Sequence, residues 1–435
     1  MINMGRRGAQ LAEERHRGMI AQSSLSTIKN LLAALALRGI ALGGRFVFVI
    51  LATKYMLPED FGRFGLLAGL ALIIPLILGL EAYQILLRRI LQEPERAPET
   101  RRSYATFVLA GSLVSGATGA LTLACFGWSA TEVGLGAVVL IFEHIGLETN
   151  RNLINEGRPA LSVLSVALRT GAWGVVVPAL FFVGLIPAPW TFETVLCFWI
   201  LGSIGAVLAG TPVWHLFRPY GRELDLQRSA GQLKELAGRS RTWLVFAAST
   251  RVIETGGRFV CAWMISEAAA GRFTFVSMLA SLSYIVQQGV VEPFYYPRLT
   301  TLDATEDAHR EFRRINLIVI VGSTLCSVLG LAASAWLNGA VPPESELASF
   351  GFLCLAFACL TLTRPAHYRL YRWHKDKAIM TTGIAGSVAM VVSSVVATWL
   401  WGIAGAAAGM LIGTLVLLIL KGRAARQLIP SQAGN

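Results

Sequence analysis

The sequence predicts an all-α, polytopic membrane protein, with about twelve transmembrane helices in two parallel-repeat lobes of six. Three observations predict it. Of 435 residues, 54% are hydrophobic and only 15% charged, against roughly a quarter charged in an average soluble protein. Apolar windows long enough to cross a bilayer, which takes about 20 residues, recur along the whole chain. A ten-residue pattern in the first window also returns in the seventh, 213 positions later and close to half the chain away.

In order, the windows cover 31–53, 64–87, 104–127, 132–150, 160–183 and 191–215, then 242–265, 272–296, 314–337, 347–363, 378–400 and 402–420. Residues 1–30 carry Arg6, Arg7, Arg15 and Arg17 with no apolar stretch directly behind the arginine pair. They read as a cytoplasmic lead-in rather than a cleaved signal. The polar stretch 216–241 links a lobe at 31–215 to one at 242–420, and 421–435 form a tail. Thirty lysines and arginines lie in the lead-in, the even-numbered loops and the tail, against Lys54, Arg63 and Arg272 in the odd-numbered loops. Such residues gather in cytoplasmic loops, so both termini are expected there. The same accounting absorbs the formal charge of +12, which in a soluble protein would suggest nucleic acid; no nucleic-acid partner is expected. Trp128, Trp190, Trp336, Trp399 and Trp401 fall at outer ends, where indole rings favour the headgroup zone.

The repeated pattern is Arg38-Gly-Ile-Ala-Leu-Gly-Gly-Arg-Phe-Val47 and Arg251-Val-Ile-Glu-Thr-Gly-Gly-Arg-Phe-Val260, identical at seven of ten positions. A short loop with a glutamate and then Gly-Arg-Phe follows each copy: Glu59 before Gly62-Arg63-Phe64, and Glu267 before Gly271-Arg272-Phe273. The next helices carry Glu81 and Glu292 near their cytoplasmic ends. With six helices per copy, both copies start in the cytoplasm, and a site is expected where the halves meet.

Arg38, Arg45, Arg251 and Arg258 therefore lie inside apolar spans. Each charge left to lipid costs roughly 2.5–3.5 kcal/mol, so four would cost on the order of 10–14 kcal/mol. Seven-residue spacing puts both arginines of a helix on one face, about 10.5 Å apart along its axis. Gly43-Gly44 and Gly256-Gly257 leave that helix thin enough for a neighbour or ligand to approach. One reading pairs the arginines with acids: Glu254 is three residues after Arg251 and four before Arg258, and Glu81, Glu143 and Glu292 lie elsewhere. The other places them around a water-filled, anion-binding cavity, since intramembrane charges mark pathways. Arg169 is a fifth candidate.

Other features carry less chemistry. His144 and Glu148, four apart, offer too few ligands for a metal and read as interfacial. The six cysteines show no CxxC spacing and read as small buried hydrophobes. Glycines 202, 205 and 210, and 402, 405, 409 and 413, fit close helix packing. GxxxxGK[ST], GxSxG and HExxH are all missing, and no loop is large enough for a catalytic domain, so neither an enzyme nor an ATP-driven engine is expected, nor any cofactor or metal.

Residues 52–62 (ATKYMLPEDFG) followed by Phe64-Gly-Leu-Leu67 resemble the L-P-x-x-F-G-x-x-x-L turn after the first helix of polysaccharide transporters. These form the oligosaccharide flippase branch of the multidrug/oligosaccharidyl-lipid/polysaccharide flippase superfamily. Leu78-Gly-Leu-Glu-Ala-Tyr-Gln-Ile-Leu-Leu-Arg88 is similar to that family's end of helix two, and Gly402–Gly409 to its glycine-alanine last helix. The second-half turn, Ser266–Gly271, departs by lacking the proline and phenylalanine. The resemblance implies two lobes around a central cavity that opens alternately to each side of a bacterial inner membrane. It implies a polyprenyl-diphosphate-linked oligosaccharide as cargo, and a polysaccharide polymerase and glycosyltransferases as partners. Arginine's fork suits phosphate, so Arg38, Arg45, Arg251 and Arg258, with Arg169, are the candidates for holding the diphosphate. Glu254, Glu81 and Glu292 are candidates for tuning or releasing it, through protonation coupled to the transmembrane gradient. The alternatives are a multidrug or cation antiporter of the same superfamily, for which span one offers two arginines and no acid; a major-facilitator sugar porter, whose usual glycine-and-Asp-Arg loop between spans two and three is missing; and a non-transporting scaffold of a glycan-assembly complex with fully paired interior charges.

Overall fold

The computed structural model describes residues 24–79, 97–155, 158–211, 226–292, 294–295, 299 and 306–428. They form twelve helical elements. The first six are α1 (Ser24–Tyr55), α2 (Pro58–Gly79), α3 (Ala97–Cys125), α4 (Ala130–Asn155), α5 (Pro159–Ala167, a π-helical turn Leu168–Ala172, then Trp173–Phe182) and α6 (Phe192–Ala209). The second six are α7 (Leu226–Met264), α8 (Glu267–Ala280, then Leu282–Val286 and a π-helical turn Gln287–Val291), α9 (Glu306–Asn338), α10 (Glu344–Arg372), α11 (Asp376–Trp401) and α12 (Ile403–Arg426). Glu81 and the lead-in 1–23 lie outside the described residues.

Among the described residues ten helices are long and apolar enough to cross a membrane, and the two parts of α8, bent by 47°, make an eleventh. The twelfth expected span, α7, is absent from this set although it runs for 39 residues. Arg251, Glu254 and Arg258 crowd its apolar part. The least lipid-like helix is thus the one with the most interior charge. α7 also begins at Leu226, so part of the stretch expected as a linker is helix.

Short turns at 56–57, 126–129, 183–191, 265–266, 339–343 and 402 cluster at one end of the bundle, here the turn end. Local chemistry sets several of them. Thr191 and Ser266 cap α6 and α8 by accepting from the amides of Thr194 (3.3 Å) and Ala269 (3.1 Å). Gly402 takes φ +58°, which lets α11 reverse into α12.

Helices α1–α6 pack chiefly on one another, as do α7–α12, and the two groups meet where α1, α2 and α3 face α7, α8 and α9. At the turn end α2 crosses α8 almost backbone to backbone. A Cβ on Gly62 would run into the Glu267 carbonyl, and one on Gly271 into that of Pro58. The expected glycine seam on α12 is real: Gly405 and Gly409 lie against the α11 backbone at Ala397 and Ser394. Phe48, Phe64, Trp173, Trp190 and Trp199 form an aromatic core in the first group, with Trp173 edge-on to Phe48 at 4.9 Å.

Three local expectations are corrected. Trp128 and Trp190 are buried rather than interfacial, whereas Trp336, Trp399 and Trp401 do face outward. Cys125, Cys197 and Cys326 lie exposed on the outside of the bundle, a surface that suits an apolar side chain in lipid, and only Cys261 is fully buried. His144 and Glu148 are fully enclosed rather than interfacial, because α3 covers them. Tyr104 donates to Glu148, Arg151 pairs with the same carboxylate at 2.6 Å, and the His144 ring lies against Gly111.

Candidate functional site

The two repeated segments face one space. A cavity of about 430 Å³ between the helix groups is lined by Arg38 and Arg45 of α1 and by Arg251, Glu254 and Arg258 of α7. α5 closes it with Val166, Ala167 and Thr170, α8 with Ser277, Tyr284 and Gln288, and α10 with Phe357. Helical spacing explains the arrangement: 38 and 45, like 251 and 258, are two turns apart on one face. The glycines between them are used differently in the two copies. Gly44 lies under Val175 of α5, while Gly257 lies under the Phe273 ring of α8.

The four wall arginines differ in their partners. Arg38 donates to the Gly289 carbonyl in the π-helical turn of α8, tying α1 to α8. Arg251 is paired with Glu254 one turn along α7. Arg258 donates to the Gly65 carbonyl of α2 at 3.0 Å, and its Nε has no partner. Arg45 makes no hydrogen bond or ion pair among the described residues. Glu254 thus makes its ion pair with Arg251, although Arg258 is only one residue further from it in sequence.

Arg169 and Glu292 do not line this cavity. Arg169, in the π-helical turn of α5, is held by Glu143 of α4, at 3.2 Å from its carboxylate and 3.1 Å from its carbonyl. Glu143 also accepts from Trp199 at 2.9 Å and from Ser203 at 3.3 Å. Glu292 stands 3.9 Å from Arg364.

Arg364 and Tyr284 belong to the site and escaped sequence reasoning. The apolar window ends at 363, before Pro365, which by sequence alone groups Arg364 with the loop cations. Instead α10 continues through Pro365 to Arg372 and carries Arg364 behind the cavity wall. There it donates to the Tyr284 hydroxyl at 2.8 Å, and that hydroxyl donates to Glu254 at 2.6 Å.

The turn end of the cavity is sealed. Arg63 of α2 bridges Glu132 of α4 at 2.5 Å and Glu267 of α8 at 2.9 Å. Trp128 donates its indole N–H to the same Glu267 at 2.8 Å. Both helix groups contribute to this closure.

No protein-family model matches the sequence, and no curated protein matches it. Solved structures do. An inward-facing multidrug resistance MATE family transporter of the MOP superfamily is 16% identical, with 91% of this chain covering 97% of that one at a TM-score of 0.65. The lipid II flippase MurJ in an inward closed conformation is 12% identical, over 92% of this chain and 87% of that one, with a TM-score of 0.62. The chain has the fold of these transporters. An outward-facing MATE structure, 14% identical over 92% and 93% of the two chains, scores 0.52. Both kinds of neighbour are transporters and not enzymes.

Proposed function

We propose that this chain is a MOP-superfamily transporter that turns over a polyprenyl-diphosphate-linked oligosaccharide, built on the cytoplasmic face of a bacterial inner membrane and polymerised outside by partner enzymes. One observation carries the reading: Arg45 and Arg258, from the two repeated helices, face the same interhelical cavity, and among the described residues no carboxylate is in ion-pair contact with either. The four guanidinium groups on that wall stand against one carboxylate, Glu254, among the described residues. A bundle that leaves two guanidinium groups without a contacting carboxylate is prepared for a ligand that brings negative charge, and the guanidinium fork matches phosphate oxygens. The likeness to a lipid II flippase supports a lipid-linked cargo. An efflux pump for cationic drugs would repel its substrate from this wall. A scaffold would have its interior charges fully paired. The charge asymmetry of the loops supports placing the turn end outside.

The test is binding of inorganic pyrophosphate to the full chain in lipid nanodiscs, together with polysaccharide export in cells. Each charge-assisted contact is worth about 1.5–3 kcal/mol. Arg45→Ala and Arg258→Ala should each weaken binding by about ten-fold or more, and the double variant should lose both binding and export. Undiminished binding by a folded double variant would overturn the proposal.

A further inference from the structure

The pair Arg251–Glu254 poses a problem for the proposed site. Arg251 lines the cavity with its side chain 30% exposed, yet its guanidinium is held by a carboxylate that is only 8% exposed. An incoming anion can use Arg251 only if Glu254 releases it. A buried carboxylate stripped of its partner is strongly destabilising, so without further support Glu254 would keep Arg251 from any ligand.

The support is present on the far side of Glu254. Its second oxygen accepts from Tyr284 at 2.6 Å. The Tyr284 hydroxyl, on the short helical segment past the bend in α8, accepts in turn from Arg364 at 2.8 Å. The Arg364 guanidinium also lies over the Tyr284 ring at 5.2 Å. Its other near carboxylate, Glu292, stands off at 3.9 Å. Arg364 is absent from the cavity wall and Tyr284 is 4% exposed. The two form a buried hydrogen-bonded chain that ends on Glu254 and brings a permanent positive charge behind it.

We infer that Tyr284 and Arg364 are positioning residues that make Glu254 an exchangeable counter-ion: an anionic ligand replaces Glu254 on Arg251, while Glu254 stays satisfied by the Tyr284–Arg364 chain. No bond is made or broken, and the exchange is of ion-pair partners. The wall then selects ligands of at least two negative charges, such as a diphosphate, because a single weak charge gains too little on Arg251 to displace the carboxylate. The inference rests on the anion-binding reading of the cavity and adds two residues to it.

The experiment is a mutant cycle on the full chain in nanodiscs, with inorganic pyrophosphate as the probe and acetate as the singly charged control. Glu254→Gln removes the competitor, and pyrophosphate should bind about ten-fold tighter. Tyr284→Phe should weaken binding by about ten-fold, since Glu254 then has a single oxygen partner in Arg251. In the Glu254→Gln background Tyr284→Phe should have no effect. Arg364→Met should follow the same pattern, and Tyr284→Phe serves if that variant fails to fold. Acetate should bind measurably only when Gln replaces Glu254. A Tyr284→Phe loss that persists at full size in the Glu254→Gln background would mean a merely structural role and overturn the inference, as would an unchanged affinity in Tyr284→Phe. No pyrophosphate binding by the folded wild type would instead remove the anion reading, and the exchange with it.

Discussion

At the scale of single residues, interior charge in this bundle falls into two classes with opposite mutational signatures. Arg169 and Glu143 form a closed pair inside the first helix group. Removing one partner leaves the other buried and uncompensated, so Glu143→Ala should cost about 3–5 kcal/mol of stability. The double replacement Glu143→Leu with Arg169→Met should recover most of that loss, read as melting temperature in detergent. Arg45 and Arg258 have no carboxylate in ion-pair contact among the described residues, so replacing both should cost less stability than Glu143→Ala while abolishing ligand binding. Lys421 belongs to a third case. Expected as a tail charge, it is 3% exposed and sits over the Phe246 ring at 4.5 Å. Among the described residues no carboxylate is in ion-pair contact with it. Lys421→Met keeps the volume and removes an uncompensated charge, and should raise the melting temperature by about 2–4 °C.

At the scale of elements, glycine spacing and proline position were unequal guides. The 405, 409, 413 series on α12 does mark a seam, because a helix without side chains on one face admits another backbone. Gly409→Leu should therefore cost about 1–3 kcal/mol through overpacking, measured by thermal unfolding. Pro365 misled in the other direction. A proline preceded by arginine reads as a helix end in water, but inside a bundle neighbouring helices re-satisfy the freed carbonyl, and α10 runs on past it. That continuation places Arg364 behind Tyr284. The bend and the π-helical turn of α8, at Ser281 and at Gln287-Gln288-Gly289, were not read from the sequence, yet they present Tyr284 to the cavity and the Gly289 carbonyl to Arg38.

At the scale of the whole molecule, the closure at the turn end decides which way the cavity can open. The Arg63–Glu267 and Trp128–Glu267 contacts cross from one helix group to the other, whereas Arg63–Glu132 stays within the first. Opening that end must break the crossing contacts, worth one or two kcal/mol, or a population factor of about 5–30. Glu267→Gln should thus favour the opposite state. With the turn end outside, as proposed, labelling of Met278→Cys on the cavity wall, in a variant with the six native cysteines replaced, by a membrane-impermeant maleimide added outside the cell should rise by about that factor. Unchanged labelling would show that the α2–α8 backbone contact at Gly62 and Gly271 alone holds the seal.

The sequence by itself determined the class of molecule, the order of its helices, and the duplicated arginine faces. Those properties follow from one-dimensional quantities: apolar run length, helical period and repetition. Tertiary structure decided which charges are neutralised. Glu254 is within one helical turn of both Arg251 and Arg258, and in the packed bundle it pairs with Arg251 while Tyr284 and Arg364 support its other oxygen. Arg169 looked like a fifth member of the cationic set until α4 supplied Glu143 behind the wall. An ion pair depends on a few ångströms between helices far apart in the chain, and no local pattern of residues encodes that distance.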